Sequence, residues 1–475
     1  MRVMDLPPKR GSCARAALVG LALASAGFTR DARAADDAGI SAKVPEDAPT
    51  GRIVRFGPRR PPRAAHACSF AQAVCVWGNV GDETLVLATL GSAERALAIL
   101  RGPLRMVPPD GNLDEGTFDL VLSDMAEGVE AEVVLGDLDP RSPLDRAAGY
   151  VVLSRKLRPG CSLDVAVARA VTRGVLLRTA PGTDEGSAQA EAQAVAELVE
   201  PCAPVRASAA YTSFQEHPER ALVSRTAFEV GHRFEALREP PFDESREATQ
   251  AMGTALFYRW LERGFAREPG SLLRGLFALR AAKTPPGAIR FVNEPDAFDV
   301  LGKSFRDKLF DGSTLDDLLV DFSLSRARFG VAAEGGAAAA LSGVPRARVD
   351  WDVPYPSAPR RLAPAYPVEP TGVSYVVVRT AGLREGARLR IEASWEEHAR
   401  MRVAFVRLDA ASNELGRARV AAPPMAHEAQ MTIADLAGTD RLVVAVVALG
   451  DPSFHFDPDD VVHEPHGYAL TIAPE

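Results

Sequence analysis

The spacing of apolar residues divides this chain into stretches of unlike period. Between Cys68 and Leu153 short apolar runs dominate. Thr84 to Leu90, Phe118 to Leu122, Ala131 to Leu135 and Tyr150 to Leu153 each predict a strand, and Glu94 to Leu100 a short helix. That alternation points to a mixed sheet with helices on it. From Cys161 the period lengthens. Val165, Ala168, Arg169, Thr172 and Leu176 form one helical succession, and Glu185 to Leu198 a second, rich in Ala and Glu. Ala248 to Leu261, with Met252, Leu256 and Trp260 four apart, predicts one buried core helix. Leu272, Leu273, Leu276 and Phe277 mark the next. Thr314 with Asp317 makes an N-cap arrangement for a helix carrying Leu315, Leu318, Leu319, Phe322 and Phe329.

The Gly335-Gly336 step starts a composition break, and seven prolines fall between Pro345 and Pro370, which reads as a linker over 336–370. Beyond it the period is two. Leu389, Ile391, Ala393 and Trp395 alternate with Arg390, Glu392 and Ser394; Val403, Phe405, Tyr468, Leu470 and Ile472 continue the pattern. The Val-rich run Leu442 to Leu449 suits a central strand. Residues 371–475 are therefore expected to form an antiparallel β-sandwich, with Trp395 in its core.

At the other end, Lys9, Arg10 and Arg15 precede an apolar run from Ala16 to Phe28 that is too short to span a bilayer. Ala32-Arg33-Ala34 is a small-x-small cleavage site. Residues 1–34 read as a secretory signal, and no other segment is apolar and long enough to cross a membrane. The product is expected to be exported, periplasmic or extracellular. Residues 35–66, rich in Ala, Asp, Pro and Arg without apolar period, read as a disordered leader, and 67–335 as an α+β domain. Within the leader Arg52, Arg55, Arg59, Arg60 and Arg63 cluster; a basic linker is the plain reading and an anionic-surface contact the sharper one.

Export changes the reading of the cysteines. Cys68, Cys75, Cys161 and Cys202 are an even set in an oxidising compartment, and the pairing expected is Cys68–Cys75 with Cys161–Cys202. The net charge of −8 and pI near 5.7 argue against nucleic acid as a partner.

The segment Glu185-Gly186-Ser187-Ala188-Gln189-Ala190-Glu191 has the form E-G-x-A-x-x-E, and Ala255-Leu256-Phe257-Tyr258-Arg259-Trp260-Leu261 follows on a later helix. In these residues and in the order of elements over roughly 70–330, the chain resembles secreted zinc metallopeptidases of the gluzincin type. The resemblance implies a zincin-like mixed sheet followed by a helical half, with a β-sandwich of the kind often appended to secreted peptidases. It also implies a first metal helix at Ser162 to Leu177. Two His one turn apart would there hold zinc, and an intervening Glu would activate water. No H-E-x-x-H exists in the chain. The matching positions are Ala168, Arg169 and Thr172, leaving Glu185, with Glu191 beyond it, as the vestige of a site and no catalytic residue.

The other candidate site is a loop from Gly450 to Gly467. It holds His455, Asp457, Asp459, Asp460, His463 and His466, three of the eight histidines in the chain. Carboxylates there would favour Ca²⁺ and imidazoles Zn²⁺, and otherwise no cofactor is expected. Asp114 with Glu115, and Asp296 with Asp299, are carboxylate pairs; Asn293 to Asp296 reads more simply as a turn before a helix. Gly302-Lys303-Ser304 lacks the first glycine of a phosphate loop, since Ala297 stands there. The leading expectation is an exported non-catalytic scaffold that binds a protein or cell-envelope partner. The rivals are a metal-dependent hydrolase working through the 455–466 loop, and an adhesion or carbohydrate-binding sandwich.

Overall fold

The computed structural model describes residues 3–6, 65–111, 116–126, 128–138, 142–222, 244–285, 291–306, 314–330, 344–420, 426–450 and 465–475. Most of the expected signal and leader, with its arginine cluster, lies outside them. So do Asp114, Glu115 and residues 451–464. The backbone of β1 (Val3–Leu6) runs antiparallel to β12 (Glu414–Val420) at the edge of a C-terminal sheet.

The first layer is a mixed sheet of β2 (Ala65–Cys68), β3 (Val74–Gly78), β4 (Phe118–Ser123), β5 (Ala131–Leu138) and β6 (Ala147–Ser154), in the order β2-β3-β4-β6-β5. Strands β3, β4 and β6 are parallel, while β2 and β5 run antiparallel at the two edges. The expected strand at Thr84 to Leu90 is instead the first half of a helix, α1 (Glu83–Arg101). Its Leu, Val and Thr content imitates a strand. Yet Val86, Thr89, Ala93, Ala96, Leu97 and Leu100 recur at helical spacing and are all buried, and that longer stripe decides the outcome.

The next helices are α2 (Cys161–Thr179), α3 (Glu185–Val199), α4 (Ala203–Arg206) and α5 (Ser208–Glu216). Helices α1 and α2 pack on the sheet and on each other, and α3 packs on α2. The contact of α2 with β4 is close: a Cβ on Gly174 would lie 2.6 Å from the Phe118 ring. The two expected disulfides are present. Cys68–Cys75 joins β2 to β3, and Cys161–Cys202 ties the start of α2 to the residue before α4.

The single helix expected over Ala248 to Leu261 is two, α6 (Glu244–Gly253) and α7 (Ala255–Phe265). The break has a local cause. A Cβ on Gly253 would meet Phe214 Cβ at 2.5 Å, so α6 rests directly on α5, and the Thr254 hydroxyl turns aside to donate to the Leu222 carbonyl at 2.7 Å. Three helices complete this half: α8 (Ser271–Leu279), α9 (Ala297–Arg306) and α10 (Leu315–Arg326). Thr314 and Asp317 form the expected capping box at the start of α10.

The C-terminal region is two sheets face to face. One has the order β1-β12-β11-β14-β9-β7, the other β13-β10-β15-β8. Their strands are β7 (Trp351–Pro354), β8 (Arg360–Leu362), β9 (Val373–Arg379), β10 (Leu389–Trp395), β11 (Arg400–Leu408), β13 (Glu428–Ile433), β14 (Arg441–Gly450) and β15 (Tyr468–Pro474), with β12 as above. Two features depart from expectation. The Pro-rich segment contributes β7 and β8, and β7 runs parallel to β9, so the larger sheet is mixed. This sheet is also buried on both faces. Val376, Val378, Phe405, Val444 and Val446 share a core with the smaller sheet, while the alternate residues Tyr375, Val377, Val406, Val443 and Val447 join the core of the helical half. Two-sided burial is why Leu442 to Leu449 is apolar without alternation.

Helix α10 covers that second face. Tyr375 donates its hydroxyl to the Ser323 carbonyl at 2.6 Å. Around it Asp316 meets Arg400 at 3.2 Å, Asp317 meets Arg419 at 2.5 Å, and Glu414 pairs with Arg328. The sandwich is thus continuous with the domain before it. A fragment starting at residue 344 should self-associate and bind a hydrophobic dye, because it uncovers the Tyr375, Val406 and Val443 face. Sedimentation beside a fragment that starts at residue 314 checks this; a monomeric, dye-silent short fragment would contradict it.

Candidate functional site

Helix α2 is buried around most of its circumference, because the sheet, α1 and α3 each take a side. The remaining stripe carries Arg169 and Arg173, one turn apart and each largely buried. Both are answered by carboxylates. Arg173 grips Glu185 at the first turn of α3 with two hydrogen bonds, Nη1 to Oε1 at 2.8 Å and Nη2 to Oε2 at 2.5 Å, and Gln189 adds a third. Burial raises the Glu185 pKa, but the Arg173 charge and these donors outweigh it and hold the group below its ordinary value. Arg169 reaches Glu130, in the turn just before the edge strand β5. Ala168 and Thr172 are fully buried, and the Thr172 hydroxyl is spent on the Ala168 carbonyl at 2.8 Å.

Glu191, two turns along α3 from Glu185, lies in a different environment. Its side chain and that of Arg280, at the end of α8, are both sealed from solvent and meet at 2.6 Å. Tyr258 on α7 also hydrogen-bonds Glu191, and the charges of Asp184 and Asp296 act on the same group of residues. Burial works against the Arg280 charge, yet Glu191, Tyr258 and Asp184 more than offset it, so the guanidinium keeps its proton. Asp184 and Asp296 double as helix caps. Asp184 Oδ1 accepts from Ser187 N at 2.8 Å, and Asp296 Oδ1 from Asp299 N at 2.7 Å.

One cation faces three acids here. Burial, with the charges of Asp299 and Asp184 added, pushes the Asp296 carboxyl up to about 8, so at neutral pH it holds a proton and the cluster sheds one negative charge. A second buried acid on α3, Glu197, is paired with Arg259, and burial pushes it up to about 7.

These arrangements engage both Glu185 and Glu191. Glu185 and Glu191 point to different guanidiniums. Among the described residues no group of three or more His, Cys, Asp or Glu is disposed to hold a metal ion. Of the 450–467 loop, His455, Asp457, Asp459, Asp460 and His463 lie outside the described residues. His466 is seen, with Nδ1 at 2.8 Å from Glu396 and its backbone bridged to Val368. Asp296 and Asp299 form the reciprocal cap of α9 rather than an open carboxylate pair, and Lys303 sits inside that helix. Trp395 is buried, as its alternation predicts, and offers no exposed aromatic platform. The residues missed by sequence reasoning are Glu130, Arg173, Arg206 and Arg280. Their partners are 12 to 89 positions away, and no spacing rule reaches that far.

No family model matches the chain, and no curated protein matches it. Among solved structures, the chain is similar to the pre-peptidase C-terminal domain of a collagenase from Bacillus anthracis. The identity is 9%, with 27% of this chain and 99% of that one covered and a TM-score of 0.18. It is similar to the enzymatically active domain of tailspike protein 4 of bacteriophage CBA120 at 10% identity, covering 25% and 19%, with a TM-score of 0.14. A family GH115 4-O-methyl-α-glucuronidase is similar at 7% identity over 78% of this chain and 54% of its own, with a TM-score of 0.15. None of these likenesses carries a functional assignment.

The buried acids give a pH dependence whose sign follows from linkage. The Asp296 folded value, about 8, lies above the unfolded one, ~3.9. Between the two the folded state holds a proton that the unfolded state has lost, so stability falls as pH rises across that window. Asp296→Asn keeps the cap acceptor and removes the titration. Its denaturation midpoint relative to the parent should therefore improve steadily from about pH 5 to about pH 8. Glu197→Gln should do the same over a window closing near 7. A relative midpoint independent of pH for both variants would refute the assignment.

Proposed function

We propose that this chain is an exported, non-catalytic scaffold built on a zincin-like domain, and that it acts by binding. The topology supports the kinship: a mixed sheet whose antiparallel edge strand β5 lies beside β6, then the long helix α2 on that sheet, then α3 packed on α2. The motif E-G-x-A-x-x-E falls at the start of α3, as the resemblance requires. Export is supported by the signal-like N-terminus together with two disulfides.

One observation carries the non-catalytic reading. Where such a domain would gather zinc ligands, Glu185 is bonded to Arg173 and Glu191 to Arg280, while Ala168 and Thr172 have no imidazole to offer. A catalytic zinc takes three protein ligands and leaves a position open for water. These residues do not fit it, because each acid already faces a fixed positive charge that would repel Zn²⁺. The edge of β5 away from β6 has no partner strand among the described residues, which leaves backbone donors and acceptors for an extended peptide.

Elemental analysis of the exported chain purified with added zinc tests this reading. The expected result is far less than one zinc per chain, with no peptidase activity gained on zinc addition or lost on chelation. Stoichiometric zinc that disappears in Glu185→Ala would overturn it.

A further inference from the structure

Arg169 on α2 and Arg206 on α4 come from different elements and converge on one carboxylate. Arg206 donates to Glu130 Oε1 at 2.6 Å, and Arg169 donates to Oε2. Each oxygen has its own guanidinium. The Glu130 backbone is fixed as well, its carbonyl accepting from Ser154 N at 2.9 Å where β6 ends. Among the described residues two cations share this one anion, so the local charges do not balance. The second amino group of Arg169 meets the Met252 thioether at 3.3 Å, a weak acceptor, so its donor capacity is underused. Burial and the like charge of Arg206 both press on Arg169, and the Glu130 charge relieves them. Exposure differs across the group: the Arg169 side chain is 15% exposed, Glu130 32% and Arg206 44%. Glu130 and Arg206 thus both reach water, and Arg169 is the buried wall behind them.

We propose that Arg169 and Arg206 are a carboxylate-binding clamp, with Glu130 as its built-in occupant, displaced when a partner peptide brings a carboxylate of its own. Two guanidiniums on separate oxygens are the arrangement that selects a carboxylate over a neutral amide, since a neutral carbonyl offers one oxygen and no charge. The ligand carboxylate can come from an Asp or Glu side chain or from a chain terminus, and the clamp chemistry is the same for both. This inference rests on the binding role proposed above and names the chemistry that role would recognise.

The test uses the full disulfide-bonded chain and three fluorescein-labelled Gly/Ala pentapeptides. One has a free C-terminal carboxylate, one is its amide, and one is the amide with a central Glu. Anisotropy should show that Glu130→Gln, which removes the resident anion, tightens binding of a carboxylate probe by about tenfold or more over the parent. The plain amide should not respond, and the carboxylate probe that gains identifies the ligand source. Adding Arg206→Gln or Arg169→Met to Glu130→Gln should abolish the gain. Arg206 is the more exposed of the two, so its variant keeps the test meaningful if Arg169→Met fails to fold by circular dichroism. Equal binding of amide and carboxylate probes by Glu130→Gln, or a gain that survives Arg206→Gln, sinks the clamp. Mass spectrometry of the recovered probe separates the two readings. A cleaved but tightly held probe overturns the non-catalytic role and leaves the clamp standing, whereas an intact, unbound probe overturns the clamp alone.

Discussion

A charge taken out of water must be met by another charge or by several dipoles, and at four places in this chain the answering group is arginine. Arg280 meets Glu191, Arg259 meets Glu197, Arg173 meets Glu185 and Arg328 meets Glu414. Desolvation offsets much of the attraction in such pairs, so their net contribution to stability is small. Their grip on the structure is nonetheless strong where both groups are sealed, as at Glu191, because removing one partner strands a buried charge at a cost of about 3–5 kcal/mol. At the partly exposed Glu185 solvent screens the loss. Each pair therefore fixes the mutual position of two elements distant in sequence.

Arg326 shows the same constraint met without a carboxylate. It is fully buried at the end of α10, where Phe214 and Pro218 carbonyls and Gln215 Oε1 accept its protons and its guanidinium lies 3.7 Å over the Phe214 ring. With no carboxylate in direct contact, burial outweighs the help of Tyr375 and Glu219 nearby and lowers its pKa to about 10. Its position matters for architecture. The turn after α5 wraps this guanidinium, and α10 in turn covers the larger C-terminal sheet. The helical half and the sandwich are joined through one helix that is apolar toward the sheet and acidic at its margins, with Arg400 and Arg419 of the sheet closing the seam. A cation missing here would loosen both halves at once.

Sequence pattern reached strands β4, β5, β6 and β10, helices α2 and α3, and the capping box of α10, although of these β10 alone alternates cleanly about one buried face. The cysteine count together with the expected export led to both disulfides. Pattern failed where a second layer changed the rule. Thr84 to Leu90 has strand-like residues but lies on a helix whose full stripe extends to Leu100, and Ala248 to Leu261 is broken because Gly253 must sit against Phe214. The chemistry was less legible still. Ala168, Arg169 and Thr172 showed that no imidazole stands at those positions, but not which groups the acids meet, since Arg280 is an ordinary residue at the end of an apolar helix. Its role comes from a contact 89 positions away.

That contact bears on whether these positions could be made to hold a metal. Placing histidines at 168 and 172 would supply two ligands, but zinc needs its donors to converge on one point at about 2 Å. In this chain the acids diverge: Glu185 turns toward α2 and Arg173, while Glu191 turns inward to Arg280 and Tyr258. The guanidinium spreads its charge over a plane and settles at hydrogen-bond distance, so it reinforces that divergence instead of drawing the acids together. Two imidazoles alone would face fixed positive charge and a sealed core. Any metal site built here would have to remove Arg173 and Arg280 first, and removing either one leaves an acid without its cation before a metal is bound.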